Sequence, residues 1–171
     1  MKVVVLILLL GLVCAAQEAP AELDPTQITA DWRSILTAAD NKEKIEEGGP
    51  LRVYMRRLEC TENCSSIAIK FYVKFQDACF PLNIVAERKG EVYRTGYMGA
   101  NFFELIPISD NALAIYSENF DGVTTTKVTH LLAIGDGVTQ EEIQQYEELN
   151  KEWGIPTENV EDLTGTDDCP P

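Results

Sequence analysis

Very few residues in this chain are equipped to do chemistry. There is one histidine, His130, and there are five cysteines. A lone imidazole has no second imidazole to share a metal with, and the Cys60-x-x-x-Cys64 spacing is a poor zinc site without one, so no metal is expected. Nucleophilic catalysis needs a serine or cysteine beside a base that is itself oriented by a third group. The strand pattern described below brings no such Ser-His-Asp set together, and no glycine-rich phosphate loop occurs. No catalytic residue and no cofactor are assigned. Cys14 belongs to an apolar leader, which leaves Cys60, Cys64, Cys79 and Cys169. An even count in an exported chain implies two disulfides. Three pairings are possible. Cys60 and Cys64 are close enough to bridge a tight turn, which leaves Cys79 with Cys169. All four bridged, no thiol remains for covalent chemistry.

Two further groups invite a functional reading. Arg52, Arg56 and Arg57 form a basic cluster, but the formal net charge of −14 argues against a nucleic-acid partner, and pairing with surface glutamates is expected. Asn63-Cys64-Ser65 is formally an N-glycosylation sequon, lying inside the proposed small disulfide loop.

The leader begins with Lys2, continues as an apolar run from Val3 to Val13 broken only by Gly11, and ends on Cys14-Ala15-Ala16. The run is shorter than the roughly 20 residues of a membrane helix. Residues 1–16 read as a secretory signal peptide cleaved after Ala16, and residues 17–171 as a single domain. No other segment is apolar enough to span a bilayer. The product is expected to be secreted and extracellular, with no membrane insertion.

The elements that must position these residues are strands. Residues 31–37, 51–59, 66–75, 79–88, 91–99, 101–106, 112–119 and 125–133 alternate apolar and polar side chains, with β-branched and aromatic enrichment and turn residues between them. Eight antiparallel strands joined by short turns make an all-β fold, an up-and-down barrel or a sandwich; closure into a barrel removes both edges. One helix follows. Thr139-Gln140-Glu141-Glu142 fits a capping box, Ile143, Tyr146 and Trp153 recur at helical spacing, and Gly154 and Pro156 end it. This C-terminal α-helix is expected to pack outside the barrel with its glutamates in water.

Eight strands, one late helix, a leader and a tail cysteine together resemble the lipocalin family over nearly the whole chain. AADNKEKIEEGGPLR (38–52), the Cys60–Cys64 turn, SENFDG (117–122), TENVEDL (157–163) and the terminal Cys-Pro-Pro are similar to its odorant-binding and pheromone-carrier branch, and most of all to the bovine-type dander allergens. The family's first strand carries a Gly-x-Trp signature whose tryptophan plugs the closed end, a structural role that falls to Trp32. The glycine is Ala30 here, and the basic residue that stacks over the tryptophan falls at Ile134. A cation–π contact worth roughly 0.5–2 kcal/mol is thereby replaced by apolar packing.

An eight-stranded barrel can hold one small ligand. Strand alternation, at positions matching the family's cavity lining, points Leu51, Val53 and Met55 inward, followed by Leu58 after a bulge at Arg56-Arg57. The inward sets of the next two strands are Ile67, Ile69, Phe71 and Leu82, Ile84, Ala86. Then come Tyr93, Thr95, Tyr97 and, on the following strand, Phe103. The last two strands supply Ala112, Ala114, Tyr116 and Val128, His130, Leu132. Ala86, Ala112 and Ala114 leave room that leucine would fill. Tyr97 and Tyr116 are the expected hydroxyl partners of a ligand. His130 reads either as a buried neutral core histidine or as a polar floor that meets a ligand oxygen; in both cases burial lowers its pKa. The resemblance implies a secreted carrier of a small hydrophobic molecule, an odorant or pheromone, acting as a monomer or weak homodimer, and a mammalian allergen. The alternatives are a filled barrel that acts as a protein-interaction or scavenging module, and an enzyme, which would need an unbridged cysteine inside the barrel.

Overall fold

A computed structural model describes residues 23–171; the proposed signal peptide lies outside them. The chain enters through one helical turn, α1 (Pro25–Ile28). Asp24 caps it by accepting from the Thr26 amide at 2.9 Å, and Pro25 occupies the first position, where its missing N–H costs nothing. Eight strands follow: β1 (Arg33–Ala39), β2 (Tyr54–Thr61), β3 (Ser66–Phe75), β4 (Ala78–Lys89), β5 (Val92–Gly96), β6 (Ala100–Pro107), β7 (Ala112–Phe120) and β8 (Thr125–Ala133). Helix α2 (Gln140–Glu152) and a two-residue strand, β9 (Glu161–Asp162), complete the fold. The sheet runs β2-β3-β4-β5-β6-β7-β8-β1-β9, every neighbouring pair antiparallel. The eight expected strands are all present. α1 and β9 are additions too short to leave a periodic signal. Among the described residues no helix is long and apolar enough to cross a membrane.

The sheet curls until β2 meets the chain entering β1. Ala30 and Leu58 exchange backbone hydrogen bonds of 3.0 and 3.1 Å, and the Trp32 amide donates to the Arg56 carbonyl at 3.0 Å. The Ser34 hydroxyl continues the seam, donating to the Val53 carbonyl at 3.2 Å and accepting from the Met55 amide at 2.9 Å. The pairing of β2 with β3 shifts register between Met55 and Arg57, the expected bulge, which lets both Met55 and Leu58 reach the core. Trp32 is 1% exposed, and its indole N–H donates to the Ile28 carbonyl at 2.8 Å, fastening α1 beneath the barrel. Ile134 packs against the same cluster.

One strand faces the opposite way from expectation. Antiparallel partners share a face, and β7 pairs Leu113 with Leu132, Ile115 with His130 and Ser117 with Val128. Leu113, Ile115, Ser117 and Asn119 are therefore the inward set. Ala112, Ala114 and Tyr116 point outward. ALAIYSEN is apolar on both faces because the barrel interior covers one and α2 the other, so alternation alone could not choose between them. Ala112 and Ala114 make room for the helix, packing with Leu131, Tyr146 and Ile155, and Tyr116 stacks on Trp153 with ring centroids 4.2 Å apart.

Helix α2 begins at the expected capping box, with the Glu142 amide donating to the Thr139 hydroxyl at 3.1 Å and the Thr139 amide to the Glu142 carboxylate at 2.8 Å. Glu142 is buried and also takes the Ser109 hydroxyl, so it departs from the water-facing glutamates.

The disulfides are Cys60–Cys64 and Cys79–Cys169, as read from the spacing. The arginines need correcting. Only Arg57 pairs at the surface, with Asp31 at 3.0 Å and Glu59 at 3.4 Å. Arg56 is buried and grips the C-terminal tail, donating to both carboxylate oxygens of Asp167 at 2.6 and 2.8 Å and to the Pro170 carbonyl at 2.7 Å. Arg52, also buried, reaches the Ile45 carbonyl, the Tyr54 hydroxyl and the Thr166 hydroxyl at 2.9 to 3.0 Å. The contacts to Thr166, Asp167 and Pro170 cross more than 100 residues of sequence, beyond any local pattern.

Breaking a buried ion pair leaves one charge stranded, whereas an exposed pair is worth little. Arg56→Ala should cost about 3 kcal/mol and Arg57→Ala less than about 1 kcal/mol, read from urea unfolding with the disulfides intact. Equal effects would contradict the assignment of Arg56 as the tail's anchor.

Candidate ligand-binding cavity

Inside the barrel is a cavity of about 90 Å³. The strands bring together eleven of the residues read from sequence: Leu51, Val53, Met55, Ile69, Phe71, Ile84, Thr95, Tyr97, Phe103, Val128 and His130. Leu51 and Val53 do this from just ahead of β2, and Tyr97 from just past the end of β5. Ile67, Leu82, Ala86 and Leu132 point the same way but pack within the apolar cluster around Trp32 and do not line the cavity. Ala112, Ala114 and Tyr116 lie outside, as described. Four wall residues went unread: Asn101, Ile115, Ser117 and Asn119. Asn101 shares the parity of Phe103 and was legible from it. The other three follow from the corrected face of β7.

The wall is mostly apolar, and its polar groups are largely committed to the protein's own backbone. The Tyr97 hydroxyl donates to the Pro50 carbonyl at 2.7 Å, while its ring meets Phe71 edge-on at 5.3 Å. Burial pushes its pKa up to about 12, so it stays protonated. Asn101 donates to the Tyr97 carbonyl at 2.7 Å, and Asn119 to the Asn101 side-chain oxygen at 2.9 Å and the Met98 carbonyl at 3.2 Å. These amides hold the turn between β5 and β6, where Met98 is left-handed and a Cβ on Gly99 would lie 2.1 Å from the Phe120 carbonyl oxygen. Ser117 donates to the Val128 carbonyl at 3.2 Å and Thr95 to the Val85 carbonyl at 3.1 Å. Tyr97 therefore has no proton free for a ligand, although its oxygen can still accept a hydrogen bond. Tyr116 is not in the cavity, and its hydroxyl donates to Glu118 at 2.9 Å.

His130 is different. Three buried side-chain polar atoms among the described residues lack a hydrogen-bond partner: Thr126 Oγ1, Asn150 Nδ2 and His130 Nδ1. Of these residues only His130 lines the cavity. Burial lowers its pKa to about 4, so the ring is neutral at pH 7.

At the rim, Lys44 donates to Asp121 at 3.0 Å, tying the connection between β1 and β2 to the turn between β7 and β8. The Thr124 and Val123 amides, with Lys44, hold the Asp121 pKa down to about 2. Cys79, Asp168 and Cys169 lie close together, but the two sulfurs are bonded to each other and are not free to ligate a metal.

Residues 30–167 match the family described as Lipocalin / cytosolic fatty-acid binding protein family. The chain is 53% identical to the allergen Bos d 2 of Bos taurus over 172 residues, covering all of both chains. The structure of that bovine allergen superposes with a TM-score of 0.83 over 87% of this chain and 100% of the other, at 50% identity. The crystal structure of aphrodisin, a sex pheromone from female hamster, superposes at 0.82 with 35% identity, covering 84% of this chain and 99% of that one. An odorant-binding protein of Rattus norvegicus is 30% identical over 169 residues, 98% of each chain.

The imidazole makes a pH prediction. Its pKa falls from the ordinary 6.5 to about 4 on folding, so between those values the unfolded chain holds the extra proton. Stability should be fully present above pH 6.5 and fall as pH drops toward 4, by up to about 3 kcal/mol from this group. His130→Gln should flatten that part of the curve. In the native protein the only histidine should show no NMR titration above pH 5; a midpoint near 6.5 would contradict its burial.

Proposed function

The chain belongs to the lipocalin family, and from that premise we propose that it is a secreted carrier that holds one small hydrophobic molecule, an odorant or pheromone, inside its barrel. The carrying observation is the apolar cavity, open at its mouth, that is lined by Phe71, Phe103, Ile115 and Val128. Binding removes apolar surface from water, at about 25 cal/mol per Å². The protein acts by sequestration and slow release, as a monomer or weak homodimer. The naming of relatives as an odorant-binding protein and a sex pheromone supports this reading. Two disulfides and the leader, residues 1–16, support secretion. Bridging of all four cysteines outside the leader favours a carrier over thiol catalysis. Identity of 53% over the full length of the bovine allergen supports reading this chain as an allergen as well; sera reactive to the bovine protein test that.

The size of the cavity bears on its cargo. An apolar cavity of about 150 Å³ accommodates benzene; this one is about 90 Å³ but open at its mouth, which limits the ligand to about one ring. Calorimetric titration of delipidated protein with short alcohols, aldehydes and fatty acids should show one site of micromolar affinity for some of the panel, with a negative heat-capacity change. Absence of binding to folded protein would favour the filled-barrel interaction module instead. Ile115→Phe should weaken binding by about tenfold or more through crowding of the wall. Tyr116→Phe, one residue along on the outer face, should leave it within about twofold. The reverse result would contradict the face assigned to β7.

A further inference from the structure

Given the carrier function proposed above, the next question is what the cavity recognises. Most hydrogen-bond donors of its wall are already committed. Thr95, Tyr97, Asn101, Ser117 and Asn119 direct their donors to backbone or to one another. His130 is the exception: its ring lines the cavity, Nδ1 is buried and unpartnered, and no protein group among the described residues bonds the imidazole. Its neighbours across the sheet cannot serve it: Ile115 on β7 is apolar, and Thr37 on β1 donates its hydroxyl to the Thr129 carbonyl at 3.0 Å. A buried polar atom without a partner is destabilising, and a ligand that supplies the partner recovers that loss.

We propose that His130 is the polar recognition group of the cavity, and that it selects a compact neutral ligand bearing a hydroxyl group. A neutral imidazole nitrogen is a donor in one tautomer and an acceptor in the other. A hydroxyl satisfies either; a carbonyl satisfies only the protonated nitrogen. A carboxylate is disfavoured for a separate reason. No lysine or arginine lines the cavity, and the buried Arg52 and Arg56 spend donors on the tail. An ionised acid would be stripped of water with no counter-charge.

Phenol, toluene and benzoate share a ring and differ in this one group, so their affinities at pH 7 test the proposal. Replacing His130 with Leu should lower the phenol-to-toluene affinity ratio by about tenfold, as loss of one buried hydrogen bond would, with toluene still bound. Benzoate should bind the native protein more weakly than phenol. Because the chain has one histidine, labelling it gives an unambiguous signal that needs no variant. Phenol should move a ring-nitrogen resonance of the native protein and toluene should not. A ratio unchanged in His130→Leu, ring-nitrogen signals indifferent to phenol, or benzoate bound as tightly as phenol would each overturn the proposal while leaving the carrier function standing. Native protein that binds neither phenol nor toluene would overturn both.

Discussion

Around Trp32 the regular ladder between strands gives way to a mixed seam. One backbone exchange at Ala30 and Leu58, one amide at Trp32, and the hydroxyl of Ser34 join β2 to the chain entering β1. A sheet that failed to close here would expose two edges and open the interior to water along its length. Trp32 makes closure favourable by filling the narrow end, and its indole N–H, which would otherwise be buried unpaired, is satisfied by the Ile28 carbonyl. With that end sealed by packing, the space nearer the rim need not be filled. The cavity depends on that division.

Burial on two sides then distributes the remaining roles. β7 and β8 face the interior on one side and α2 on the other. Inward positions hold Ile115, Val128 and His130, while Ala112, Ala114 and Leu131 carry the helix. On the far side of the barrel the C-terminal tail returns to lie against β2 and β3, fixed by Cys79–Cys169 and by Arg56 on Asp167, with Lys74 on Asp168 at 2.5 Å. The barrel is thus braced outside by a helix and by a strap, and neither occupies the interior.

Strand count, the helix with its cap, the bulge at Arg56 and the Cys60–Cys64 bridge were legible because each has a local cause: alternation, a capping box, a short spacing; Cys79–Cys169, 90 residues apart, followed only as the remaining pair. The inward face was legible wherever the other face meets water, as on β3, where Lys70 and Lys74 alternate with Ile69, Phe71 and Val73. It failed on β7 because both faces are apolar. The role of the arginines was hidden for another reason: a tail more than 100 residues away leaves no periodic mark near Arg56. Tyr97 was read correctly into the cavity, but its hydroxyl bond to Pro50 depends on how the rim folds. What chemistry the site retains is therefore a matter of which polar groups the rim consumes, and that is tertiary information.

The central claim is that the barrel interior holds a mostly apolar cavity. Xenon enters such cavities without needing hydrogen bonds. Crystals of the protein under xenon pressure should show one internal site, against Phe103, Ile115 and Val128. Xenon confined to the surface, with ordinary density filling the barrel interior, would contradict the account.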